Sequence, residues 1–161
     1  MKDLFSKVRV LFEGNNGGTG PEEGSPDVSV LSISRSGPDK ELLHQALAGT
    51  HWRIVTARDC HEGLRILLTR RIPVVLYDRD LPGLPWCQNL KLLSSLSPAC
   101  VILVSRVSDS YLWDEVIQQG GFDVLAKPFR REELIRTLNF ALKHWRAGWI
   151  RGNCDRLGVT E

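Results

Sequence analysis

The stretch VVLYDRDLPG, from Val74 to Gly83, places four apolar or aromatic residues directly before an aspartate, Asp78. A short apolar run of this kind is typical of a buried strand. The Leu-Pro-Gly segment that follows is typical of a turn. A buried strand can end on many turn residues, so a carboxylate at its carboxyl end indicates a role in chemistry.

Short apolar segments alternate with helical patterns on both sides of this stretch. The predicted strands are 28–34, 52–57, 74–78, 100–105 and 122–126. The predicted helices are 38–48, 60–70, 86–96, 110–119 and 131–145. Strands that alternate with helices predict a parallel sheet with helices on both faces, and right-handed crossovers make it a doubly wound α/β fold.

The composition indicates an ordinary globular domain. Of 161 residues, 42% are hydrophobic and 25% are charged, and 21 basic against 19 acidic residues give a net charge of +2. This balance favours neither nucleic acid nor a membrane surface as the partner. The four cysteines form no CxxC pair, so we expect reduced thiols in a cytoplasmic protein rather than a zinc site or a disulfide framework. No apolar run approaches the length of a transmembrane helix.

The chain divides into three expected parts. Residues 1–26 form a flexible tail, in which apolar residues at helical spacing predict a short amphipathic helix before a Gly-, Pro- and Glu-rich linker at 14–26. Residues 27–147 form the α/β domain. Residues 148–161 form a polar tail that is too short to fold alone, so we expect output to pass through a partner, through dimerisation or through the tails.

Polar side chains end or follow three of the predicted strands. Asp78 ends the third strand, Ser105 ends the fourth, and Lys127 follows the fifth. Because the carboxyl ends of parallel strands lie at one edge of the sheet, where such folds bind ligands, we expect these three side chains to share one rim.

With these residues in this order, the segments LYDRDLPG, ILVSR and GGFDVLAKPF resemble the receiver domain of bacterial two-component response regulators. The resemblance covers about residues 28–145 and implies a flavodoxin-like sheet of five parallel strands, in the order 2-1-3-4-5, with five helices. It implies Asp78 as the phospho-acceptor, with Ser105 and Lys127 supporting the phosphoryl group. The implied role is a signalling module of a phosphorelay rather than an enzyme, with a sensor histidine kinase or another signalling protein as partner.

The sequence departs from the family at its acidic, Mg²⁺-binding pair, which falls on Ser34 and Arg35. The remaining candidate ligands are Asp78 and the backbone carbonyl of Asp80, so we expect Mg²⁺ to bind weakly or not at all. The nearest acid downstream, Asp39, falls in the first helix and is expected to face solvent. Arg35 could pair with Asp78 and replace the charge of the metal.

The resemblance also implies a partner surface on the fourth helix, the fifth strand and the fifth helix, through which a homodimer could form. The candidate residues are Tyr111, Trp113, Val124 and Trp145. Val124 stands where the family often has an aromatic switch residue. Phe122, two positions earlier, is expected on the same face of the strand.

Two other functions stay open. One is a phosphorylation-independent pseudo-receiver that acts as a protein-interaction module. The other is a flavin-binding protein of the same fold, which the segment SRSGPDK after the first strand disfavours because it has few glycines and hydroxyls for a phosphate.

Overall fold

The structure, a computed structural model, describes the backbone of residues 27–156 and the side chains of residues 27–148. The predicted amphipathic helix and the linker at 14–26 lie outside the described residues. The strands are β1 (Val28–Ile33), β2 (Trp52–Ala57), β3 (Val74–Asp78), β4 (Cys100–Ser105) and β5 (Asp123–Ala126). The helices are α1 (Gly37–Leu47), α2 (Cys60–Thr69), α3 (Trp86–Leu96), α4 (Ser110–Gln118) and α5 (Arg131–Arg156).

The five strands form one parallel sheet in the order β2-β1-β3-β4-β5. This confirms the flavodoxin-like fold with strand order 2-1-3-4-5 and five helices. The register pairs Asp78 with Val104, and Ser105 with Ala126. The carboxyl ends of β3, β4 and β5 therefore lie side by side.

Two apolar layers cover the sheet. Helices α1 and α5 pack on one face, where Leu43, Leu134 and Leu138 are almost fully buried. Helices α2, α3 and α4 pack on the other face, around Leu90 and the β3 residue Tyr77. Burying each leucine contributes about 2 kcal/mol relative to leaving it in water. The two layers thus enclose the sheet from both faces.

Side-chain caps fix where three helices begin. The Ser36 hydroxyl accepts the backbone N–H of Asp39 at 3.2 Å and starts α1. Asp59 and Asp109 cap α2 and α4 in the same way. Each cap satisfies a backbone donor that the helix leaves without a partner. The Ser36 cap matters most for the site, because it places the first turn of α1 beside the carboxyl rim.

Two features differ from the sequence prediction. Helix α5 continues to Arg156, 11 residues beyond the predicted end at Trp145. The added segment contains no proline, and each residue that extends a helix adds a hydrogen bond. Phe122 precedes β5 and packs against the α5 side of the sheet, whereas Val124 packs on the opposite layer. The prediction that they share a strand face is wrong, because the residues before β5 do not follow strand geometry.

Replacing Gly121 with alanine tests the packing between α4 and β5. A Cβ at this position would lie 2.9 Å from the backbone oxygen of Val116. We expect Gly121→Ala to reduce the free energy of unfolding by about 2 kcal/mol, because backbone has to move. Gly37→Ala is the matched control, since its Cβ would meet nothing within 4 Å. Urea unfolding measures both, and equal stability of the two variants would contradict this packing.

Candidate functional site

Asp78 lies at the carboxyl end of β3, and its side chain is only 8% exposed. Three donors reach its carboxylate. The Ser34 hydroxyl donates to Oδ2 at 2.8 Å, and the Asp80 backbone N–H donates to Oδ1 at 3.0 Å. The Lys127 ammonium donates to Oδ1 at 2.9 Å. A buried carboxylate needs partners of this kind, and the sheet supplies them from β1, from the turn after β3 and from the end of β5.

Lys127 contacts a second carboxylate, that of Asp39. Its Nζ lies 2.8 Å from Asp39 Oδ2, and the two side chains are 6% and 17% exposed. The expectation that Asp39 faces solvent is therefore wrong. The Ser36 cap and the direction in which α1 leaves β1 turn Asp39 towards the rim. The ammonium is thus held between Asp39 and Asp78, and we call these three residues the lysine triad.

The charges of the triad shift two pKa values. Burial by itself would raise the pKa of Asp39, but hydrogen bonds from Lys127 and Ser36 and the charges of Lys127 and Arg106 hold it below its ordinary value. Burial by itself would lower the pKa of Lys127, but its bonds to Asp39 and Asp78 and their charges raise it. Pairing therefore outweighs desolvation at both groups, and both stay charged at neutral pH.

Ser105 ends β4 beside the triad and is buried. Its oxygen accepts the backbone N–H of Val107 at 3.1 Å and a guanidinium N–H of Arg79 at 3.4 Å. A serine hydroxyl has two acceptor positions and one proton. Since both contacts from the described residues are made to the oxygen, the hydroxyl proton remains able to donate at the rim.

The two residues at the positions of the family's acidic pair point in different directions. Ser34 is buried and faces Asp78, so it contributes a donor where the family has a carboxylate. Arg35 is exposed, and its Nε donates to the Arg58 carbonyl oxygen at 3.2 Å. The ion pair that Arg35 could make with Asp78 is not formed, because Lys127 takes that position on the carboxylate.

The donor set around Asp78 does not fit a Mg²⁺ ion. Mg²⁺ requires about six oxygen ligands in near-octahedral geometry. Both oxygens of Asp78 already accept hydrogen bonds, and the space between Asp39 and Asp78 holds the ammonium of Lys127. Within residues 27–148, no three His, Cys, Asp or Glu side chains cluster so that they could hold a metal. The cation of this site is Lys127.

Of the four residues predicted for the partner surface, Trp145 lies apart from Tyr111, Trp113 and Val124, which are on α4 and β5. Tyr111 on α4 is 74% exposed. Trp113 is half-buried, and its Nε1 donates to Asp123 at 3.2 Å. Val124 is half-buried against the α2–α4 layer. Trp145 packs against the opposite layer near the start of β1, with the Arg71 guanidinium 4.9 Å from its ring centroid.

Sequence reasoning missed Asp39 and Arg79 as residues of the site. The signal for Asp39 was the Ser36-Gly-Pro-Asp39 segment, in which a capping serine fixes the first turn of the helix. Arg79 follows Asp78 directly and carried no signal by itself. Cys100 is buried in the core, and burial raises the pKa of its thiol to about 12.

Replacing Asp39 tests the lysine triad. We expect Asp39→Asn to lower the free energy of unfolding by about 2 kcal/mol at pH ~7, because a charged hydrogen bond is lost. The pKa of Asp39 is lower in the folded chain, so its stabilisation is present above its ordinary value of 3.8 and is lost as the pH falls through the folded value. The difference between the two proteins should therefore shrink below pH ~4 in urea unfolding.

Glu41→Gln is the control for this experiment, since it removes the same charge from an exposed position on α1. We expect its effect to stay within about 0.5 kcal/mol. A loss in Asp39→Asn that is no larger than in this control, or that does not depend on pH, would contradict the buried pair.

The chain is similar to a known family and to several solved structures. The family model described as "Response regulator receiver domain" matches residues 39–139. The transcriptional regulator NtrC of Salmonella typhimurium is 31% identical over 120 residues, which cover 74% of this chain and 26% of NtrC. The probable transcriptional regulatory protein TcrX of Mycobacterium tuberculosis is 29% identical, over 75% of this chain and 52% of TcrX. The chain thus spans about a quarter to a half of the length of these relatives.

Among solved structures, the signal receiver domain of an HD domain-containing protein from Pseudomonas fluorescens superposes with a TM-score of 0.71 and 22% identity, covering 83% of this chain and 99% of that one. At this identity the likeness shows the fold. In the part of the chain that the structure describes, no helix combines the length and the apolar character needed to span a membrane. The family match over most of the folded domain shows that the chain belongs to the response regulator receiver domains of two-component systems.

Proposed function

We propose that this domain acts in a phosphorelay and that Asp78 accepts the phosphoryl group. The observation that supports this most is the contact between the Asp78 carboxylate and the Lys127 ammonium at 2.9 Å, at the carboxyl rim of the sheet. The phosphoryl donor would be a phosphohistidine of a sensor kinase or a small acyl phosphate.

In the transfer, one carboxylate oxygen of Asp78 forms a bond to phosphorus as the bond between phosphorus and the donor breaks. The leaving nitrogen or oxygen of the donor keeps the electron pair. Because an anion approaches an already anionic group, catalysis depends on positioning and on neutralising charge. Lys127 supplies one positive charge in contact with Asp78.

Oδ2 of Asp78 is the better candidate for the attacking oxygen. Oδ1 accepts from both Lys127 and the Asp80 backbone N–H, whereas Oδ2 accepts only the neutral Ser34 hydroxyl among the described residues. Rotation of the Ser34 hydroxyl frees that oxygen without breaking an ion pair. The charged contacts on Oδ1 then hold the carboxylate in place during attack.

The Ser105 hydroxyl would donate a hydrogen bond to a phosphoryl oxygen. Its oxygen already accepts from Val107 and Arg79, so its O–H is left to donate. This new bond would draw the end of β4 towards Asp78, and Val124 on the neighbouring strand would follow. The partner that reads this change, or a second copy of the chain, would dock on α4, β5 and α5, where Tyr111 offers an exposed aromatic side chain.

Intact-protein mass spectrometry after incubation with acetyl phosphate tests the phospho-acceptor. We expect one phosphoryl-sized increment in the wild type and none in Asp78→Asn. Asp27→Asn is the control, because Asp27 pairs with Arg53 and lies before β1 at the other end of the sheet. No increment in folded wild-type protein with any donor would overturn the proposal and leave a pseudo-receiver that works by binding alone.

Replacing Ser105 tests the proposed hydrogen bond from its hydroxyl to the phosphoryl group. We expect Ser105→Ala to slow phosphoryl incorporation about tenfold, since one hydrogen bond to a charged group is lost in the transition state. Time courses of the mass increment measure this rate. Ser105→Thr, which keeps the hydroxyl, should stay close to the wild type, and equal rates in all three proteins would exclude Ser105 from the phosphoryl site.

A further inference from the structure

The lysine triad does not neutralise a phosphoryl group. Two carboxylates, Asp39 and Asp78, face one ammonium, so the floor of the site is net negative. A phosphoryl group adds a further negative charge of about 1.5 to 2. Because the donor set does not fit Mg²⁺, transfer to Asp78 requires another cation from the chain itself.

Arg79 is placed to be that cation. Its backbone N–H donates to the Val104 carbonyl oxygen at 3.0 Å, which ties the residue after Asp78 to the end of β4. Its half-buried side chain reaches along the rim, and the guanidinium lies 3.4 Å from Ser105 Oγ and 5.9 Å from the ring centroid of Trp86. The guanidinium is therefore held between α3 and β4, next to the hydroxyl that faces the phosphoryl group.

Other arginines at this end of the sheet are less suited. Arg35 is exposed and donates to the Arg58 carbonyl oxygen. Arg106 is exposed, and its positive charge acts on Asp39. Of these three arginines, Arg79 is the one whose guanidinium contacts a residue of the proposed phosphoryl site.

We propose that Arg79 binds the phosphoryl oxygens directly and supplies the charge that Mg²⁺ supplies elsewhere in this family. This inference rests on the proposed function of Asp78. A distance of 3.4 Å is long for an N–H···O bond, so the guanidinium gains by exchanging Ser105 for a charged phosphoryl oxygen. Its planar fork can hold two such oxygens at once. No covalent bond to Arg79 is made or broken, because the phosphoryl group passes from the donor to Asp78 and Arg79 only binds its oxygens.

The rate of phosphoryl incorporation from acetyl phosphate is the first test. We expect the wild type to react equally in EDTA and in Mg²⁺, and Arg79→Gln to react at least about tenfold more slowly. Arg79→Lys keeps the positive charge but loses the planar guanidinium, so its rate should lie between those of the wild type and Arg79→Gln. Arg70→Gln is the control for loss of one positive charge, because Arg70 is exposed at the end of α2, away from the rim.

Binding of inorganic phosphate to Asp78→Asn protein is the second test, and it does not need the transfer reaction. We expect phosphate to shift the Arg79 Nε–H resonance, and the double variant Asp78→Asn/Arg79→Gln to bind at least about tenfold more weakly than Asp78→Asn/Arg70→Gln. Equal phosphate binding by these two proteins would overturn the role of Arg79, whatever the phosphorylation result.

The two tests separate the inference from the proposed function. Phosphoryl incorporation that requires Mg²⁺ and is unchanged in Arg79→Gln would overturn the inference while Asp78 stays the phospho-acceptor. Phosphate binding through Arg79 without any phosphoryl incorporation would overturn the proposed function and support Arg79 as an anion-binding residue.

Discussion

The site depends on the position of one ammonium group, that of Lys127, between two carboxylates. Asp39 and Asp78 come from different elements, and their side chains are mostly buried. Without Lys127, two negative charges would face each other at the rim of an apolar core, at a cost of several kcal/mol. The ammonium therefore joins α1, β3 and the end of β5 into one charged unit.

This unit changes which groups surround the Asp78 carboxylate. The sequence has lost the acidic pair after β1, and Ser34 now donates to Asp78 where a carboxylate would repel it. Asp39 on α1 brings a carboxylate to the site, but this carboxylate is paired with Lys127. The site has thereby exchanged oxygen ligands for hydrogen-bond donors. Such a site offers a divalent cation few free oxygen ligands, and its remaining negative charge gives Arg79 its proposed role.

The fold could be predicted from the sequence because its strands are short, continuous apolar runs bounded by turns. All five strands begin and end where expected to within one residue, as do four of the five helices. The rim residues Asp78, Ser105 and Lys127 followed from the strand ends alone. Their pairing distances did not, because those depend on how α1 and the segment after β5 pack.

The errors have physical causes. Asp39 was assigned to solvent because a helix has one buried face, and the sequence does not show how far α1 is rotated about its axis. Trp145 was assigned to the partner surface, but α5 runs from the rim towards the opposite end of the sheet and places Trp145 there, against Arg71. The side chain of Arg79 was not predicted because its position depends on how Trp86, at the start of α3, and Ser105, at the end of β4, pack at the rim.

A double-mutant cycle on Asp39 and Lys127 tests the central claim most directly. Urea unfolding of the wild type, Asp39→Asn, Lys127→Met and the double variant gives the coupling free energy between the two side chains. The lysine triad predicts a coupling of at least about 1 kcal/mol at pH ~7. Additivity within about 0.3 kcal/mol would show that Lys127 is not held by Asp39 and would contradict the account.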